Sequence, residues 1–96
     1  MPELNYILDA EDKIWRNKPY SEIKSFLGNV ECYVKKHKGK EYQVEIHTKI
    51  GSNDDEIIVM VECSKNSFLG SFVGRCYYFA KLKDGLIREI DGDEAF

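Results

Sequence analysis

Histidine is a common base and metal ligand near neutral pH, and the sequence contains two histidines, His37 and His47. Neither has a cysteine or a second histidine at a metal-ligand spacing, and the nearby carboxylates Glu41 and Glu45 complete no known catalytic pattern. His37 is explained without a function by a position at the C-terminal end of a helix, where the helix dipole is negative and favours a cation. His47 is explained by a position on the solvent-exposed face of a strand. We therefore expect no metal site, no cofactor and no catalytic residue.

Two runs of like charge are candidates for binding ions or nucleic acid. Residues 54–56 are all acidic, but they lack the alternating oxygen ligands and the distal glutamate of a calcium loop, so we expect a solvated turn. Four lysines between residues 35 and 40 lie near Tyr33 and Tyr42, a combination that can contact nucleic acid. The formal net charge of −3 removes the diffuse positive field that nonspecific binding needs. We do not expect nucleic acid as a partner.

The cysteines and the N-terminus indicate the compartment. Cys32, Cys63 and Cys76 are an odd number at wide spacings, which favours reduced thiols over a disulfide framework. No apolar run reaches the roughly 18 residues of a membrane span, and residues 1–3 have neither the basic start nor the apolar stretch of a signal peptide. We expect a cytoplasmic protein with no membrane partner.

Length and composition predict one folded domain over residues 1–96, with 43% hydrophobic and 32% charged residues. Its most informative segment is residues 19–39, where Pro19 suits a first helical position and Gly39 suits a left-handed C-cap. Between them, apolar or aromatic side chains follow helical spacing at Ile23, Phe26, Leu27, Val30, Tyr33, Val34 and His37. The spacing predicts one long helix, about 20–38, that buries Phe26 and Val30.

A hairpin is the alternative for the second half of this segment. Gly28 costs a helix about 1 kcal/mol relative to alanine, and Val30 and Val34 are good strand residues. They could begin a strand that turns at residues 38–39. The sequence leaves open whether residues 29–38 are helix or strand.

The rest of the chain predicts one short helix and a series of strands. Leu4, Ile7 and Leu8 mark a short first helix, and residues 13–16 a short extended piece. From residue 41 the hydrophobic period changes to 2, the period of a strand with one buried face. The predicted strands are 41–50, a central strand beginning with the apolar run 57–61, 74–83 and, after a two-residue Asp-Gly turn, 86–90.

These elements predict an α+β fold with the long helix packed on a curled antiparallel four-stranded sheet. Residues 64–72 are predicted to be a loop that folds back against the domain, where Phe68, Leu69 and Phe72 could cover the sheet. The acidic tail, residues 91–96, is predicted to fray.

Two segments resemble the nuclear transport factor 2-like superfamily, which includes steroid-isomerase-like members. Residues 14–19 followed by 21–27 are similar to its strand, its Asn/Asp-Pro step and a helix with a Phe-Leu pair. Residues 74–90 resemble its closing hairpin, with an Asp-Gly turn and an Ile-Arg-x-Ile return. The resemblance spans about residues 4–91 and implies a cone-shaped sheet, an outline shared with cystatins. The cystatin Gln-x-Val-x-Gly loop is missing, so we do not expect protease inhibition.

One departure from the family affects the expected pocket. The family usually begins with a long helix over the mouth of the cone, and only twelve residues precede Lys13 here. The resemblance therefore implies an absent or shortened lid, and a pocket that is smaller, more open or covered by a partner subunit.

Steroid-isomerase-like members imply a carboxylate base before a proline, a tyrosine on the first helix and a protonated carboxyl in the penultimate strand. This sequence has Asn17 (or Arg16) and Tyr78 at the two carboxyl positions, and the family's long first helix, which carries the tyrosine, is not expected here. We do not expect isomerase chemistry, although a tyrosine hydroxyl can still donate to an oxyanion. An enzyme would have to use polar groups such as Asn17, Arg75 and Tyr78.

The aromatic run 77–79 predicts an interface, because adjacent strand residues point to opposite faces and both faces therefore carry a ring. One face packs on the helix, and the other needs a ligand or a second subunit to cover it. The candidate pocket or interface residues are Trp15, Asn17, Arg75, Tyr77, Tyr78 and Phe79. We also expect Trp15 to belong to the core.

The resemblance and the missing acid-base pair predict a noncatalytic small-molecule-binding or protein-interaction module. Its expected partners are a second copy, in a homodimer through the sheet, and a small apolar ligand in a pocket. The alternative is a small-molecule enzyme, isomerase-like or polyketide-cyclase-like, that uses the polar pocket residues. A closed apolar core favours the module, whereas a solvent-connected cavity with a perturbed titratable group favours the enzyme.

Overall fold

The computed structural model describes residues 2–66 and 72–95. Its elements are α1 (Pro2–Asn17), α2 (Tyr20–Lys24), β1 (Glu31–His37), β2 (Lys40–Ile50), β3 (Glu56–Asn66), β4 (Phe72–Leu82), β5 (Ile87–Glu89) and α3 (Gly92–Ala95). The strands form one antiparallel sheet in the order β1-β2-β3-β4-β5. The predicted α+β class is confirmed, with five strands in an open sheet where four were expected.

The long helix of this fold is α1. Leu4, Leu8 and Trp15 recur at helical spacing and are buried against the sheet. An ion pair of 2.7 Å between Asp12 and Arg16, four residues apart, stabilises the second half of the helix. The predicted extended piece at residues 13–16 is therefore wrong, and so is the inference that a long N-terminal helix is missing.

The predicted helix over 20–38 is also wrong, and the hairpin alternative is correct. Helix α2 contains five residues, and Gly28 with φ of +86° follows it. Lys38 and Gly39 have φ of 52° and 77°, which is the backbone of a two-residue hairpin turn. Val30 is 55% exposed rather than buried. The apolar residues of this segment fit both the helical period of 3.6 and the strand period of 2. The left-handed backbone at Gly28 and at residues 38–39 interrupts a helix and favours the strand.

The sheet has an inner face toward α1 and an outer face away from it. Val44, Val59 and Phe79 point to the inner face and are fully buried. The central position of β3 is confirmed, because it is the middle strand and residues 57–61 are all buried. Glu45 and Glu62 point to the outer face, in register with each other.

One end of the outer face is covered by α3. Ala95 of this helix packs with Ile58 and Ala80, and Tyr78 and Ile90 lie beside them. Residues 92–95 of the acidic tail therefore form a helix instead of fraying, because Ala95 has an apolar patch to cover.

The β3–β4 and β4–β5 connections differ in part from expectation. Leu82 donates its N–H to Leu86 and Gly85 donates to Leu82, at 2.9 and 2.8 Å, so the β4–β5 turn has a three-residue loop instead of two. Residues 64–66 extend β3 and residue 72 begins β4. The rest of the predicted loop, residues 67–71 with Phe68 and Leu69, lies outside the described residues, as does the Phe72 side chain.

Within residues 2–66 and 72–95, no helix has the length and apolar character needed to cross a membrane.

Candidate functional site

The six residues predicted for a pocket or interface are distributed over both faces of the sheet. Trp15 and Phe79 are buried in the core under α1, Tyr77 is half-buried on the inner face, Tyr78 is half-buried on the outer face, and Asn17 and Arg75 are exposed. The Tyr77 hydroxyl donates to Asp9 on α1, at 2.7 Å. The three polar groups that an enzyme would use, Asn17, Arg75 and Tyr78, therefore do not converge.

Apolar side chains fill the space between α1 and the sheet. The fully buried members of this core include Leu4, Leu8, Ile23, Val44, Ile46, Val59, Val61 and Phe79. The Trp15 indole donates to the Tyr33 hydroxyl at 3.2 Å, and the Phe26 ring meets Trp15 edge-on with centroids 5.0 Å apart. The core under the helix is thus closed.

Arg16 fastens the end of α1 to the sheet. Its guanidinium donates to Asp12 at 2.7 Å, to Glu89 on β5 and to the carbonyl of Tyr78, and it lies 4.8 Å over the Phe79 ring. Burial raises the pKa of Asp12, and Arg16 opposes that rise. These contacts hold the helix in place and leave the Arg16 guanidinium surrounded by protein groups.

Burial also makes the thiol of Cys63, which lies in the core, unreactive. Cys63 is fully buried on β3, and burial raises its pKa to about 11. A thiol with that pKa is protonated at neutral pH, and the thiolate is the nucleophilic form. Cys63 is therefore a core residue rather than a catalytic group.

A row of polar side chains crosses four strands on the outer face, and we call it the carboxyl row: Cys32, Glu45, Glu62 and Cys76. Glu45 and Glu62 are directly opposite each other on β2 and β3. Burial, then the hydrogen bond with Glu45 and the repulsion of its charge, raise the pKa of Glu62. A carboxyl group with a raised pKa directly opposite a second carboxyl group is an arrangement that acid-base chemistry can use.

A hollow on the outer face lies beside the carboxyl row. It has a volume of about 340 Å³ and is lined by His47, Thr48, Lys49, Ile58, Met60 and Ala95. Ile58 and Met60 give it an apolar floor. His47 connects it to the row, because its Nε2 lies 4.0 Å from a carboxylate oxygen of Glu45. The outer hollow has the size and polarity for a small, mainly apolar group.

The lysine run around the β1–β2 turn is partly neutralised. Lys35 lies 3.8 Å from Glu11 on α1, and Lys36 lies 3.9 Å from Glu41 on β2. His37 ends β1 and its ring stacks on Tyr6, with centroids 4.9 Å apart, so the predicted helix-end role of His37 is wrong. Two of the four lysines therefore have an acidic neighbour, which weakens the case for nucleic acid.

Glu56 is a residue that sequence reasoning placed wrongly. It was expected in a solvated turn, yet it is fully buried at the start of β3. Arg88 donates to both of its carboxylate oxygens, at 2.8 and 3.2 Å, and Ser52 donates at 3.1 Å. These bonds lower the pKa of Glu56. A Cβ at Gly51 would lie 2.5 Å from its Cγ, so glycine is required there. The partner is 32 residues away in the chain, and no local pattern reveals it.

The part of the chain that the structure describes brings together no three histidine, cysteine, aspartate or glutamate side chains that could hold a metal ion. Comparison with protein-family models, with curated protein sequences and with solved structures found no match to this chain. Membership of a family therefore stays a proposal, and the function has to be inferred from the geometry.

Proposed function

We propose that this chain is a noncatalytic interaction module that associates with a second copy of itself through its sheet. The observation that carries the proposal is the closed core under α1, where Leu8, Val59 and Phe79 are fully buried. A small-molecule enzyme needs a concave site with convergent polar groups. The space under the helix, where such a pocket would be expected, is occupied by packed side chains.

The exposed surface supports an interaction role. The sheet is open, so it has two edge strands, and such edges are templates for pairing with another chain. The rings of Tyr77 and Phe79 pack against α1, whereas the half-buried Tyr78 and the exposed Val34 lie on the outer face, where a partner could contact them. Pairing through the sheet is thus the association that the accessible groups favour.

We keep the nuclear transport factor 2-like superfamily as the proposed family. The long N-terminal helix over an antiparallel sheet supports it, because the family usually begins with such a helix. The local structure of residues 14–17 is a less good fit, since a strand was expected there and α1 continues through Asn17. We propose the cytoplasm as its location, because the unpaired, exposed thiol of Cys32 suits a reducing compartment.

Sedimentation velocity tests the association. At tens of micromolar we expect about twice the chain mass of 11.2 kDa. The sedimenting mass should fall toward the chain mass on dilution, since association follows mass action. A stable, monodisperse monomer over the whole concentration range would overturn the proposed function.

A second candidate function is a small-molecule enzyme, or a receptor for a small apolar ligand, at the outer hollow. The observation that favours it is the direct opposition of Glu45 and Glu62 in the carboxyl row, next to the apolar floor formed by Ile58 and Met60, and the raised pKa of Glu62 agrees with it. Carboxyl NMR titration with a panel of small apolar amines tests it. We expect a saturable shift at Glu62 that Glu45→Gln weakens, and the absence of any shift at millimolar ligand would remove this candidate.

A further inference from the structure

The free edge of β1 offers unpaired backbone groups at known positions. His37 and Lys40 close a two-residue turn, so they exchange both of their backbone hydrogen bonds. Bonded and non-bonded pairs then alternate along the hairpin, and the odd-numbered residues of β1 bond to β2. The N–H and C=O groups of Cys32, Val34 and Lys36 therefore point to the free edge.

The rest of the described chain leaves this edge open. Within residues 2–66 and 72–95, no backbone hydrogen bond from outside the β1–β2 pair reaches Cys32, Val34 or Lys36. Helix α1 contacts β1 through side chains on the inner face, such as Lys35 and Tyr33, and does not cover its edge. Val34 is 57% exposed. The opposite edge strand, β5, has only three residues, so β1 is the longer template.

We propose that β1 pairs antiparallel with β1 of a second copy, about a twofold axis at Val34, so that the two sheets become one continuous sheet. This inference rests on the proposed self-association and specifies its surface and register. Cys32 would pair with Lys36 of the partner subunit, and Val34 with Val34 of the partner subunit. Each of these pairs exchanges two N–H···O bonds.

The side chains of β1 are complementary in this register. Glu31 comes opposite His37 of the partner subunit, Tyr33 opposite Lys35 of the partner subunit, and the exposed valines bury each other. No two like charges are directly opposite, an arrangement that would destabilise a strand pair. Lys35 is also balanced within its own subunit, by Glu11 at 3.8 Å.

Neighbouring registers are less favourable. An axis at Lys35 would place two lysines directly opposite each other, which is a repulsive pair. An axis at Tyr33 would pair only residues 31–35 and leave the last two residues of β1 without a partner. The axis at Val34 uses all seven residues of the strand.

Disulfide trapping tests the register, with an external oxidant such as copper phenanthroline. The Cα atoms of a bonded antiparallel pair are about 5.5 Å apart, within the range that a disulfide spans. In a Cys32→Ser background, Val34→Cys should form a covalent dimer. Lys36→Cys is the matched control on the same strand face, and it should not, because its own copy lies about 13 Å away along the strand. With Cys32 retained, Lys36→Cys should crosslink.

A proline variant tests the hydrogen bonds. The N–H of Val34 points outward, so Val34→Pro removes no β1–β2 bond but blocks pairing at the edge. We expect its sedimenting mass to fall to that of one chain, 11.2 kDa, while Val34→Thr stays dimeric. Circular dichroism on both variants verifies that the sheet is retained, and the crosslinking result is independent of the proline.

The outcomes separate this inference from the proposed function. Trapping at position 34 together with a monomeric Val34→Pro variant supports the edge dimer. A dimer that Tyr78→Glu dissociates, with no trapping at position 34, would overturn the edge inference and leave the proposed function standing. A wild-type chain that is monomeric throughout, or that pairs this edge only with an added acidic peptide, would overturn both.

Discussion

Leu8→Ala and Val30→Ala give the sharpest test of which segment packs on the sheet. Leu8 is fully buried on α1, whereas Val30 is 55% exposed just before β1. A helix over 20–38 would bury Val30 and make its truncation cost about 1–3 kcal/mol. The observed fold predicts the opposite order, with nearly all of the loss at Leu8.

The magnitude follows from burial. Truncating a fully buried leucine to alanine costs about 3–5 kcal/mol, as lost transfer free energy plus the cavity that remains. At about 4–8 °C per kcal/mol for a domain of this size, a loss of 3 kcal/mol lowers Tm by about 12–24 °C. Val30→Ala removes methyl groups that are already half in water, so we expect about 0.5 kcal/mol and a shift of about 2–4 °C.

Urea unfolding followed by circular dichroism, at one low protein concentration, measures both variants. The concentration is fixed because association adds to the apparent stability. Ile14→Ala is the control on α1 itself, since Ile14 is 48% exposed and its truncation should be close to neutral. Equal losses for Leu8→Ala and Val30→Ala, or a larger loss for Val30→Ala, would refute the packing of α1 on the sheet.

Three further predictions concern titratable groups. Hydrogen bonds from Arg88 lower the pKa of Glu56 in the folded chain. Its carboxylate therefore stabilises the fold at pH values above the pKa of an unfolded glutamate, about 4.3, and this stabilisation is lost as the pH falls. In Glu56→Gln the contribution is absent, so Tm should fall less steeply below about pH 5. Parallel Tm curves between about pH 7 and 3 would contradict this. Glu62→Gln should raise Tm at about pH 7 and not at about pH 4, because the raised pKa of Glu62 means that its ionisation destabilises the fold as the pH rises. The same change at both pH values would argue against the carboxyl pair. The exposed thiol of Cys32 should react with a thiol reagent at about pH 8, whereas Cys63 should react only after the chain unfolds, since burial raises the pKa of Cys63 to about 11. Rapid labelling of Cys63 in the folded chain would contradict this prediction.

Several elements of the fold are determined by local sequence. The period of 2 from residue 41 identifies β2, and the apolar run 57–61 identifies the central strand, because a strand buried on both faces cannot alternate. Residues 84–85 mark the turn into β5, since a left-handed position favours glycine, as the φ of +96° at Gly85 confirms. These features depend on residues that are neighbours in the chain.

The tertiary structure alone decides which apolar segment becomes the helix on the sheet. Residues 19–39 fit helical spacing as well as α1 does, but Leu4, Leu8 and Trp15 are the side chains that close the inner face. The fate of Glu56 depends on Arg88, 32 residues away, and the place of Arg16 depends on Glu89, 73 residues away. Spacing along the chain carries no record of such partners, because burial and pairing are set by whatever the completed fold brings within reach.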